Sequence, residues 1–241
     1  MFAWLPEFGP GAACERNGLL LLANESGLFT LSRHRTRLLQ SIAAILPKVK
    51  LDGLPFPVRM TGAFLQAVLN GNEEWVGRCE QELRALEEVP VRESRPAFFE
   101  QCFRLKKELS TAQSDLWRLK GILTTLAEGR AKLPGGGADT AFWCTLEETA
   151  NYLYETVTNT REGVLSVIEL HLNVVSFEMN RVMRVLAVVS VLGLIPAVIG
   201  GLFGMNLADN PWPFTLPQVT FGVCLGMVLG LYLFLVKGWL R

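Results

Sequence analysis

Val185–Phe203 reads VLAVVSVLGLIPAVIGGLF, nineteen residues without a charge, and it runs directly into Gly204-Met205-Asn206. About 20 apolar residues cross roughly 30 Å of hydrocarbon, so this stretch predicts a membrane helix. A second uncharged stretch, Phe214–Val236, follows after a short connection. Two buried helices of a soluble core are the competing reading. Soluble core helices seldom run so long without a charge, and these two are adjacent and C-terminal. The pair therefore predicts a membrane hairpin whose mouth carries the tripeptide, where backbone carbonyls and an asparagine amide could meet a cation.

The flanks set an orientation. Arg181 and Arg184 precede the first stretch and Lys237 and Arg241 follow the second, whereas the connection Asn206–Pro213 holds one acid, Asp209, and no base. The positive-inside rule then predicts both termini in the cytoplasm and the connection outside. Trp212, Tyr232 and Trp239 fall near the ends of the stretches, where aromatic belts form. Residues 1–22 lack a basic segment and carry Glu7, so no signal peptide is expected. The five cysteines, Cys14, Cys79, Cys102, Cys144 and Cys224, form no CxxC pair and are odd in number. Reduced thiols in a cytosolic region are the expectation, without a cysteine metal site.

Towards the N-terminus the chain carries 23 basic against 23 acidic residues overall, a balance that points to no nucleic-acid partner. Asn24–Gly27 reads as a turn, Leu28–Leu31 as a short strand, and Thr36–Leu46 as a helical pattern ended by Pro47. From Arg59 the chain reads as helix, with Asn70-Gly71-Asn72 taken as a turn before Glu73–Val89. Ala97–Leu133 is one amphipathic segment, its Leu105, Leu109, Leu116, Leu119 and Leu123 recurring at helical spacing. After Pro134-Gly135-Gly136-Gly137, residues 139–203 run without a stop signal except Pro196. One continuous helix, paired antiparallel with the preceding segment, is predicted.

Stepping by threes and fours back from Gly204 along that helix visits Gly201, Ala197, Leu194, Ser190, Leu186, Met183, Asn180, Ser176, Leu172 and Glu169. Polar residues sit at the lower end of this face, apolar ones in the middle, and small ones at the top. A helix-packing surface is the other reading of such spacing; the tripeptide and the short connection favour an ion path. Mg²⁺ sheds water reluctantly and suits carbonyl, amide and carboxylate oxygens around its hydration shell. Asn206, with the Gly204 carbonyl and Met205, then predicts an outer selectivity ring, with Asp209 beside it. Met183, Leu186 and Leu194 predict an apolar constriction, and Asn180 and Glu169 an inner receiving site. Asn206 and Asn180 are the expected metal-facing amides. One chain supplies one such helix, so a pore requires a homo-oligomer.

The second stretch carries Gly222, Gly226 and Gly230 at four-residue spacing, a face suited to close packing on the first. No Walker loop, HExxH or nucleophile elbow is present, so an enzyme and an organic cofactor are not expected. A divalent ion crossing 100 mV gains about 4.6 kcal/mol, at about 2.3 per charge, which makes uptake possible without a fuel.

These residues resemble the CorA family of magnesium transporters. The resemblance rests on Asn180-Arg181-Val182-Met183-Arg184-Val185-Leu186, Pro196, Gly201-Leu202-Phe203-Gly204-Met205-Asn206, a second span and Lys237-Gly238-Trp239-Leu240. It covers 97–241 well and begins loosely near Leu54. It implies a homopentameric funnel of stalk helices, the first span lining the pore and Gly-Met-Asn at the outer mouth. Residues before Leu54 are too few for that family's full α/β region, so a remnant sheet is expected. The connection reads Leu207-Ala208-Asp209-Asn210-Pro211-Trp212-Pro213 where the family has Met-Pro-Glu-Leu, and Ala197 stands where the family has a pore threonine. The shortened form resembles the CmaX-type branch.

The expectation is a mostly α membrane protein in a bacterial inner membrane: residues 1–184 cytoplasmic (1–58 reduced α/β or irregular, 59–184 helical bundle and stalk) and 185–241 a hairpin. The hairpin divides into a pore helix, 185–203, an external connection, 204–213, an outer helix, 214–236, and a tail, 237–241. Its partners are copies of itself and the lipid bilayer. Mg²⁺ is the expected transported ion. Zn²⁺ is the alternative, with His171 beside the lower end of the stripe as a ring candidate or, more simply, a packed or solvated stalk residue. A non-conducting membrane scaffold or sensor is the reading from another class.

Overall fold

The computed structural model describes residues 2–8, 14–24, 27–32, 55–91, 96–131, 133, 140–205 and 214–238. The predicted helix Thr36–Leu46 and the loop residues Asn206 and Asp209 lie outside the described residues. Two compact units divide the chain, Met1–Glu169 and Leu170–Arg241.

The first unit opens with an antiparallel sheet in the order β1 (Phe2–Phe8), β2 (Cys14–Asn24), β3 (Gly27–Ser32). Phe2 pairs with Leu20 and Phe8 with Cys14; Leu19 pairs with Ser32 and Asn24 with Gly27. The short strand expected at Leu28–Leu31 lies within β3; the centre of the expected turn, residues 25–26, lies outside the described residues. β1 and β2 were not expected. Pro6 in β1, and Asn17-Gly18 in β2, break the apolar alternation that marks a strand. Pro6 is tolerated because β1 is an edge strand, where an amide need not donate to a neighbour. Leu21 points into the core, whereas Leu22, Phe29 and Leu31 remain exposed.

Helix α1 (Phe56–Glu87) starts behind Pro55, with Pro57 at its second position, where a missing amide costs no helical bond. It runs through Asn70-Gly71-Asn72, which corrects the turn expected there. Both asparagines find partners inside the helix: Asn72 Nδ2 donates to the Val68 carbonyl at 2.8 Å, and Gln66 Nε2 donates to Asn70 Oδ1 at 2.9 Å. Local turn chemistry lost because Phe64, Leu65, Val68, Leu69, Trp75 and Val76 all bury on the same unbroken helix.

Helix α2 (Pro96–Ala127) ends six residues before the expected Leu133. Gly129 adopts φ +69°, and its amide reaches the Leu126 carbonyl while the Ala131 amide bonds Thr125. That left-handed turn ends helices and suits glycine. The predicted leucines Leu105, Leu109, Leu116, Leu119 and Leu123 are all buried.

Helix α3 (Thr140–Phe203) is one helix of 64 residues with Pro196 inside it, as expected. Its first half runs antiparallel to α2, fixed by four polar rungs. Ser110 meets Arg161, Gln113 meets Thr158, Lys120 meets Asn151 and Thr124 meets Glu147. Each advance along α2 is matched by an equal retreat along α3. Behind the rungs, Trp143, Leu146, Ala150, Leu153, Val157 and Val164 bury against the α2 leucines. Helix α1 closes on both partners: Glu82 bonds Arg104 of α2, and Leu83 faces Gly163 of α3.

The Glu82–Arg104 pair extends to Glu108, whose Oε1 lies 3.8 Å from Arg104 Nη1. Burial pushes the Glu108 carboxyl above its usual range; Arg104 opposes this and Glu82 adds to it. Burial likewise raises the Cys102 thiol, which keeps it a neutral core residue.

The second unit contains the rest of α3 and α4 (Leu216–Val236). Both helices are long and apolar enough to cross a membrane. The Thr215 amide donates to Gln218 Oε1 at 3.0 Å at the start of α4, and Gly238, at φ +71°, ends it.

Candidate ion path on the first span

In the second unit α3 shows two distinct sides. Arg184, Val188, Leu192, Ile195 and Ile199 recur at fours and threes and are half-buried or buried, with Val188 only 2% exposed and Pro196 half-buried beside Ile195. On α4 the half-buried positions Val219, Val223, Gly226, Gly230 and Phe234 recur in the same way, with Met227 beside them and Gly238 after the helix. A Cβ built on Gly230 would lie 3.1 Å from Leu192 Cδ2, so this is the line where the helices touch. The packing face expected from Gly222, Gly226 and Gly230 therefore needs a correction. Gly230 is in contact and Gly226 is half-buried, but Gly222 is exposed with open space around its Cα. Four-residue glycine spacing drifts around a 3.6-residue helix, so three such positions do not stay on one seam.

The expected stripe lies about half a turn away from that seam at 3.6 residues per turn. Glu169, Leu172, Ser176, Asn180, Met183, Leu186, Ser190, Leu194, Ala197 and Gly201 are all exposed in the single chain. None of the positions from Leu172 to Gly201 is spent on packing α4. Ser190 returns its hydroxyl to the Leu186 carbonyl at 2.8 Å, which satisfies it within the helix. His171, beside the stripe in sequence, is 2% exposed and sits among packed side chains, off this face.

At its upper end α3 closes with the Gly204 amide on the Gly200 carbonyl at 2.9 Å and the Met205 amide on Leu202 at 3.4 Å. A Cβ on Gly204 would lie 3.2 Å from the Gly200 oxygen and 3.6 Å from that of Gly201. Glycine thus lets the chain turn tightly over the last helical carbonyls. Carbonyls at a helix C-terminus carry partial negative charge. Met205 projects from the turn, 61% exposed. Among the described residues no three His, Cys, Asp or Glu side chains gather as a metal-binding group. The oxygens on this face are carbonyls, the Ser176 and Ser190 hydroxyls, the Asn180 amide and the Glu169 carboxylate.

Sequence reasoning missed the opposing seam. Its signal was present in Val188, Leu192, Ile195 and Ile199, but in a stretch apolar all round no periodicity separates a packed face from a lipid-facing one.

The model of the CorA-like Mg²⁺ transporter family matches residues 12–237. The cobalt/magnesium transport protein CorA of Thermotoga maritima is 24% identical over 166 residues, 68% of this chain and 47% of that protein. The cobalt/magnesium transport protein CorA of Methanocaldococcus jannaschii is 31% identical over 85 residues, 33% of this chain and 26% of that one. The chain thus spans about half or less of the length of these relatives. Among solved structures, the complete CorA magnesium transporter from Methanocaldococcus jannaschii superposes with a TM-score of 0.76 at 18% identity, covering 98% of this chain and 74% of that one. Full-length CmaX gives 0.72 at 18% identity, covering 95% and 71%. The cytoplasmic domain of ZntB from Vibrio parahaemolyticus gives 0.59 at 11%, covering 72% and 67%. The fold, the two apolar C-terminal helices and the match over nearly the whole sequence lead to one conclusion: the chain belongs to the CorA-like Mg²⁺ transporter family.

Proposed function

We propose that the chain assembles as a homopentamer in a bacterial inner membrane and passes Mg²⁺ inward down its electrochemical gradient. The observation that carries this reading is the two-sided first span: α4 takes one side of α3, and the stripe from Leu172 to Gly201 stays open on the other. Copies arranged around an axis would bring that stripe inward. The tripeptide Gly204-Met205-Asn206 then forms the outer ring, its helix-end carbonyls and the Asn206 amide contacting a hydrated ion, with Asp209 raising local cation concentration. Met183, Leu186 and Leu194 make the apolar constriction that opens by wetting, and Asn180, Ser176 and Glu169 receive the ion below it. Both termini lie in the cytoplasm, in keeping with Arg181, Arg184 and Lys237 at one end of the hairpin. The domain division follows: 1–184 cytoplasmic, 185–241 membrane hairpin.

Rescue of a bacterium lacking magnesium uptake tests the reading. Wild type restores growth in low magnesium and Asn206→Ala does not. Rescue by neither sinks the magnesium assignment. Labelled zinc flux into proteoliposomes without magnesium flux would move the substrate to Zn²⁺. No flux of either ion would favour the non-conducting scaffold.

A further inference from the structure

Arg184 of α3 and Lys237 of α4 stand at the same end of the hairpin. Arg184 continues the α3 packing row of Val188, Leu192, Ile195 and Ile199 by one step of four. Lys237, which is exposed, follows Phe234 of the α4 row of Val223, Gly226, Gly230 and Phe234 by one step of three. The Leu192–Gly230 contact sets the level. From it Arg184 lies eight residues back and Lys237 seven residues on. In antiparallel helices rising 1.5 Å per residue, these steps bring both to the same height, roughly 11–12 Å below the contact. The nineteen-residue uncharged stretch begins at Val185, so this height is the edge of the hydrocarbon.

The only acids from Leu170 onward are Glu178 and Asp209. Glu178 is exposed and lies six residues before Arg184, about 9 Å further down and about a third of a turn around the helix. Arg184 is half-buried and donates from Nε to the Asn180 carbonyl at 3.4 Å. Two like charges held at one height beside a hydrocarbon edge repel each other, and an anion bound by both relieves that repulsion. The α4 backbone helps to hold the place: the Lys237 amide bonds the Leu233 carbonyl and Gly238 turns the chain away at φ +71°.

We propose that Arg184 and Lys237 form a seat for the phosphate of an anionic phospholipid at this end of the hairpin. At this depth the abundant anion is the lipid phosphate, and a guanidinium binds it through two parallel hydrogen bonds while the ammonium supplies a point charge. The acyl chains then lie along the exposed apolar flanks of α3 and α4. The seat depends on the hairpin lying in a bilayer and not on the ion that the chain passes.

Native mass spectrometry of the full chain, released from micelles doped equally with phosphatidylglycerol and phosphatidylcholine, tests this. Wild type is expected to retain phosphatidylglycerol in preference, and R184Q/K237Q to lose roughly thirtyfold of that preference, as two surface cations would predict. Arg181→Gln removes the same charge one turn away and should cost no more than the general effect of one surface cation, about fivefold. The conservative pair R184K/K237R should keep it. Equal retention of both lipids by wild type, or an Arg181→Gln loss as large as that of R184Q/K237Q, overturns the proposal. Inorganic phosphate in excess should not strip the lipid; if it does, the site takes free phosphate instead. Retained thermal unfolding of each variant shows that the comparison is between folded proteins.

Discussion

Gly163 of α3 lies so close to Leu83 of α1 that a Cβ built on it would sit 2.7 Å from Leu83 Cδ2. The helices can approach to this distance only because one of them has no side chain there. Gly163→Val should therefore cost roughly 1–3 kcal/mol, by overpacking at a tight crossing. In a Leu83→Ala background the same substitution should cost at least about 1 kcal/mol less. A denaturant double-mutant cycle measures this, and strict additivity of the two changes would falsify the contact.

Glu108 gives a pH signature. Its carboxyl is raised in the fold by burial, so its stabilising contribution is fully present below its unfolded value and is lost as pH rises through the folded one. Glu108→Gln should thus be as stable as wild type or more so at about pH 7.5, and gain nothing at about pH 4. Arg104→Gln removes the cation that Glu82 and Glu108 share, and should destabilise by up to about 1 kcal/mol at neutral pH, the gap closing in acid. Urea midpoints at the two pH values decide it.

The hairpin seam predicts unequal glycines. Gly230→Leu drives a side chain into Leu192 and should lower the thermal midpoint or the yield of folded protein, whereas Gly222→Leu, with open space around it, should leave the isolated chain's melting temperature within a few degrees. Equal effects at both positions would mean that α4 is rotated from the orientation described.

At the mouth, Gly204→Ala places a methyl 3.2 Å from the Gly200 carbonyl. Ion flux should fall by roughly tenfold or more, as expected when oxygens at a selectivity ring are displaced, while the assembled protein elutes unchanged on size exclusion. Flux equal to wild type would remove this turn from the ion path.

The α2–α3 register can be tested by cross-linking. Cysteines at Gln113 and Thr158, side chains that hydrogen-bond at 2.9 Å, should be joined by a short bifunctional thiol cross-linker, and cysteines at Gln113 and Asn151 should not. Non-reducing gel mobility reports the difference.

What the sequence disclosed depended on how much each residue type constrains. Uncharged length located α4 and the upper part of α3, since soluble core helices seldom run so many apolar residues without a charge. The α2 leucines were readable because charges fill the rest of that helix. Strand β2 was hidden by Asn17-Gly18, and the Asn70-Gly71-Asn72 turn dissolved because side-chain amides can bond within a helix as well as end one. The stripe was traceable by spacing from Gly204, yet the seam opposite it was not. Only the approach of Leu192 to Gly230 distinguishes one apolar side from another.

The four rungs joining α2 to α3 act as teeth on a rack. Because every pair advances and retreats by the same count, sliding α3 by a single residue unseats Ser110, Gln113, Lys120 and Thr124 from Arg161, Thr158, Asn151 and Glu147 together. No partial slip keeps half of them. Within this unit, axial movement of α3 must carry α2 with it or jump a full helical turn, so the seam passes a pull or a push as one piece and resists small displacements.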